Sequence, residues 1–98
     1  MNASIQKQID AIDASLQKID AALKDLREKE RNIGMIIEKK MEEVIKRKNL
    51  IQEGNERVFS ELRQKLTKQY KELISDKIGI LEKEKYSLKN IRNEFLCM

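Results

Sequence analysis

The chain has 98 residues, 39% of them charged and 4% aromatic, with no proline and a net charge of +4. So few aromatic groups exclude an ordinary compact core, and the wealth of Glu, Lys, Leu and Ile is the composition of a long helix or coiled coil. Acid and base are interleaved, with 11 Lys or Arg against 9 Asp or Glu in residues 1–49 and 10 against 8 in residues 50–98, so no field of one sign builds up to steer a polyanion.

The N-terminal segment carries Ile5, Ile9, Ile12, Leu16, Ile19, Leu23 and Leu26 in alternating steps of four and three. That spacing puts every large apolar side chain on one strip of a helix. A lone helix cannot bury such a strip, so the chain must fold against another helix, its own or a copy. A disordered segment has no reason to keep the period.

The strip continues through Ile33, Ile37, Met41, Val44, Ile51, Val58, Leu62, Leu66, Tyr70, Leu73, Ile80, Leu88, Ile91 and Phe95. Its steps average 3.5 residues from Ile5 to Ile33 and about 3.65 from there to Phe95. The first value imposes a left-handed supercoil, and the second approaches the straighter eleven-residue repeat. We therefore expect one coiled-coil domain over residues 1–98, with strict heptads in 1–32 and a mixed heptad and hendecad pattern in 33–96. After residue 33 adjacent doublets such as Ile36–Ile37, Val58–Phe59, Leu73–Ile74 and Ile80–Leu81 widen the apolar arc. The widened face 33–59 suits a thicker bundle or an edge facing solvent, or else a groove for a further helix from outside this chain.

Glycines interrupt the pattern at Gly34, Gly54 and Gly79. Gly54–Asn55 is the one credible turn, since both residues tolerate positive φ. Against it, the strip holds its phase through residue 55, and no Ser, Thr or Asp stands ready to cap a second helix. The expected fold is all-α, a single helix of roughly 140 Å at 1.5 Å per residue; a helical hairpin turning at Gly54–Asn55 is the alternative.

In the heptad segment Ile9, Leu16 and Leu23 take a positions, and Ile5, Ile12, Ile19 and Leu26 take d positions. This nearly reverses the preference of parallel dimers, which want β-branched residues at a and Leu at d. An antiparallel homodimer is expected instead, its interface the apolar strip from Ile5 to Ile91. Opposed Glu30 and Lys77 would fix its register about a dyad near residues 53–54.

Chemistry is sparse. The chain has no histidine and a single cysteine, Cys97, which removes the commonest general base and leaves too few ligands for a zinc site. No glycine-rich loop or nucleophile elbow is present. The expectation is a protein that is not an enzyme and takes no cofactor or metal. The basic residues Lys39, Lys40, Lys46, Arg47 and Lys48 are broken up by Glu38, Glu42 and Glu43, with no aromatic to stack on bases. They read as a solvated face rather than a nucleic-acid contact. No apolar run approaches the ~18 residues of a bilayer span and no signal-peptide pattern is present, so no membrane association and a cytoplasmic location are expected.

The stretch from Ile33 to Ile91 includes MEEVIKRKNLIQEGNERVFSELRQKLTKQYKELISDKIGILEKEKYSL. Its isoleucine-rich run, Val-Phe-x-x-Leu step, Leu-x-x-x-Tyr-x-x-Leu-Ile segment and Lys-rich end resemble the coiled coil that follows the B-box in tripartite-motif proteins. The resemblance covers about two-thirds of the chain. It implies an elongated antiparallel dimer serving as the scaffold of a ubiquitin-ligase type protein, with RING and B-box modules lying outside these residues. Taken together, the expected function is a homodimerising scaffold that mediates self-association and spaces flanking modules. A helical-hairpin adaptor and a heteromeric coiled-coil subunit are the alternatives.

Overall fold

The computed structural model describes residues 3–48 and 56–98. The protein is all-α: α1 runs Ala3–Arg31, α2 Ile33–Lys48 and α3 Glu56–Leu96. Among the described residues only Asn32, Cys97 and Met98 are not helical. Glu56 lies in the first turn of α3, while Lys29 and Arg31 end α1 and Lys46, Arg47 and Lys48 end α2. An acid near a helix N-terminus and bases near a C-terminus each stabilise by about 0.3–1 kcal/mol. At Asn32 the α-helical hydrogen bonding persists: its N–H donates to the Glu28 carbonyl at 3.0 Å, and the Ile36 N–H donates to the Asn32 carbonyl at 3.2 Å. The break falls where the apolar period changes.

Two compact units form. The first joins the N-terminal helix up to Leu26 with residues Asp76–Met98; the second spans Arg27–Ser75. In the first unit Arg92 Nε lies 2.7 Å from Asp13 Oδ1, and Lys85 Nζ lies 2.7 Å from Asp20 Oδ1. As α1 advances seven residues, α3 retreats seven, so these two segments run antiparallel. In the second unit Arg63 Nε meets Glu38 Oε1 at 2.9 Å, and α2 packs on the first half of α3.

These contacts correct the expectation of one continuous helix. At 1.5 Å per residue, Asp13 and Arg92 would stand about 120 Å apart on a single helix; instead they are hydrogen bonded. Apolar burial drives the folding back. Each fully buried Ile or Leu stabilises by about 1.5–3 kcal/mol, whereas a half-exposed ion pair contributes at most about 1 kcal/mol. The alternative turn at Gly54–Asn55 lies outside the described residues.

Candidate functional site

The chemistry of this protein lies in its apolar faces, and each unit builds one. In the first unit Ile9, Ile12, Ile19, Leu23 and Leu26 of α1 are buried, and Ile5 and Leu16 are half-buried. They pack in an antiparallel arrangement with a strip of α3 formed by Ile78, Leu81, Lys85, Leu88, Arg92 and Phe95, all half-buried. That strip steps by three and four in alternation, the same 3.5-residue period as α1. Matching periods allow two helices to stay in contact over many turns.

In the second unit Ile37, Met41 and Phe59 form the core, with Ile33, Ile45, Leu62, Leu66 and Tyr70 packed around it. The steps here lengthen: Ile33, Ile37, Met41 and Val44 on α2, and Phe59, Leu62, Leu66 and Tyr70 on α3, each cover eleven residues. Lys40 Nζ sits 5.4 Å from the Tyr70 ring centroid, a cation–π contact that contributes about 0.5–1 kcal/mol at an exposed site. Ile37 and Met41 of the widened face 33–59 are thus packed against α3 of this same chain.

The strip predicted as an interface therefore divides. The residues of α1 and α2 from Ile5 to Val44 are buried or half-buried within the chain's own units, as are Leu62, Leu66, Tyr70, Leu88 and Phe95. Ile51 lies outside the described residues. Val58, Leu73, Ile80 and Ile91 are exposed by 56, 50, 59 and 42%. Glu30 and Lys77, the predicted register pair, are both exposed.

In three doublets of α3 the inward residue is the second member. Phe59 is buried beside exposed Val58, Ile74 is 2% exposed beside Leu73, and Leu81 is half-buried beside exposed Ile80. Reading the first member of each doublet missed these core residues. The inner positions of Lys85 and Arg92 were also missed. A signal for them existed, because two bases seven residues apart match Asp13 and Asp20, two acids seven residues apart.

Polar sites are few. Among the described residues no group of acidic, histidine or cysteine side chains is arranged to hold a metal ion, and no helix is long and apolar enough to cross a membrane. No buried side-chain nitrogen or oxygen among them lacks a hydrogen-bond partner. Cys97 is a free, exposed thiol. At the junction of α2 and α3 an open cleft of about 460 Å³ has an apolar lining of Val44, Val58 and Leu62, flanked by Arg47 and Lys48.

No family model matches the chain, and neither a curated protein nor a solved structure is significantly similar to it.

Proposed function

We propose that this chain is a helical-hairpin coiled-coil module that self-associates as a homodimer and serves as a scaffold for modules joined to it. One observation carries this reading. Four large apolar side chains, Val58, Leu73, Ile80 and Ile91, remain 42–59% exposed on one helix whose inner strip is already filled. Scattered apolar residues on a surface need no explanation, but these recur on one edge of α3 at helical spacing, and a recurrent apolar edge favours association. The matched 3.5-residue strips of α1 and α3 support the coiled-coil description of the first unit. The resemblance of residues 33–91 to the tripartite-motif coiled coil would place such a scaffold in a ubiquitin-ligase type protein, and that placement rests on the sequence pattern alone.

Sedimentation equilibrium or light scattering of the purified chain tests the reading. The expected result is twice the chain mass of 11.6 kDa, falling toward one chain on dilution. A single-chain mass that persists at high micromolar concentration, with full helicity by circular dichroism, would leave a monomeric adaptor and remove the homodimer.

A further inference from the structure

We propose that the apolar cleft between α2 and α3 docks an acidic amphipathic helix of another protein. The apolar side chains of that helix rest on Val44, Val58 and Leu62, and its carboxylates meet Arg47 and Lys48. This goes beyond the self-association reading and does not depend on it.

Charge points to the sign of the partner. The two halves of the sequence carry the same excess of base, but the fold sorts the charges differently. The first unit, residues 1–26 and 76–98, holds 8 Lys or Arg against 8 Asp or Glu. The second, residues 27–75, holds 13 against 9, so the whole net charge of +4 belongs to it. A surface of that sign attracts an anionic partner and speeds its encounter. The same unit of a second copy carries the same sign and is a poor occupant.

The cleft lies within this basic unit. Val44, Arg47 and Lys48 are spaced by three and four residues, so they share one face at the end of α2, and Val58 and Leu62 share one face of α3. The volume of about 460 Å³ is within the range that holds apolar groups of a ligand. Val58 is 56% exposed and Val44 and Leu62 are half-buried, so the apolar floor is reachable from outside. Arg47 and Lys48 are exposed, and among the described residues neither joins an ion pair. Arg63 meets Glu38 and Arg57 meets Glu61.

An apolar floor beside two uncompensated cations complements a helix with Leu or Ile on one face and Asp or Glu along its edge. A wholly apolar helix would leave the cations without countercharge. A nucleic acid would leave the floor uncovered, and no aromatic side chain lines the cleft to stack on its bases.

Fluorescence anisotropy with the full chain tests this. The probe is a fluorescein-labelled peptide with Leu at i, i+3, i+4 and i+7 and Glu elsewhere; a control peptide has Ser in place of Leu. The expected result is binding of the acidic Leu peptide that weakens as salt rises. Arg47→Gln with Lys48→Gln should weaken it roughly tenfold, each exposed ion pair contributing up to about fivefold. Val58→Asp should abolish it by placing an acid on the floor, in the first turn of a helix where an acid is well tolerated. Circular dichroism of each variant checks that the helices are intact. Failure of the acidic Leu peptide to bind would overturn the proposal. Equal binding of the Ser peptide would reduce it to charge alone and overturn it, and binding unchanged by Val58→Asp would place the contact elsewhere. Tighter binding of single-stranded DNA or phosphatidylserine vesicles, lost in the Arg47→Gln, Lys48→Gln variant, would assign the cations to a nucleic acid or a membrane instead. Sedimentation of the unmodified chain reads self-association separately, so either reading can fail without the other.

Discussion

Ile74 and Leu73 are adjacent, similar in size and opposite in environment, which makes them a sharp test of how α3 is turned. Ile74 is 2% exposed and Leu73 is 50% exposed. Truncating a fully buried Ile to Ala removes its transfer energy and leaves a cavity, costing about 2–5 kcal/mol. Leu73→Ala removes side-chain surface that is half in water already, so its cost to the isolated chain is at most about half as great, ~1 kcal/mol. With a urea m-value of about 1–3 kcal/mol/M for a chain of this size, Ile74→Ala should lower the unfolding midpoint by roughly 1–5 M, at least twice the effect of Leu73→Ala. The assay is urea titration followed by circular dichroism at 222 nm, at several protein concentrations. Binding between folded copies adds stability that depends on concentration. The deficit of Leu73→Ala should therefore grow as protein concentration rises, while that of Ile74→Ala stays nearly constant. If Leu73→Ala costs as much as Ile74→Ala in dilute solution, the inner strip runs through the first member of each doublet. The helix would then be turned by one residue, about 100°, from the orientation that buries Ile74.

Other substitutions probe separate features. A Cβ placed on Gly34 or Gly79 would meet nothing within 4 Å, so Gly34→Ala and Gly79→Ala should each stabilise by about 0.5–1 kcal/mol through helix propensity; a fall in melting temperature for either would contradict open space at these positions. Reversing one charge of the Asp13–Arg92 pair, by Asp13→Arg or Arg92→Asp, should cost about 1 kcal/mol or less. The double reversal should recover most of that loss, and a double mutant no better than the sum of the singles would separate the two residues in solution.

The heptads of α1 were legible because their apolar residues are single, so only one face can be the buried one. Ile9, Ile12, Ile19, Leu23 and Leu26 are all buried. From residue 33 the doublets blurred the reading. Neighbouring residues differ by about 100° around a helix, and two apolar neighbours flank the inward direction about equally. The packing of α2 on α3, not their composition, decides that Phe59 and Ile74 point in. Lys85 and Arg92 were harder still, since a search for apolar periodicity passes over two basic inner positions and loses the heptads of α3. A strip that keeps its phase is also blind to the source of its partner. The same Ile5–Leu26 strip can be covered by a copy or by the far end of its own chain, and only contacts such as Asp13 with Arg92 distinguish the two.

The Asp13–Arg92 contact has a practical consequence. It holds the early turns of α1 and the last turns of α3 in one unit, so labels placed on those turns lie side by side. Donor and acceptor dyes attached there would report high energy transfer in the folded chain and lose it on unfolding, within one chain and without any partner.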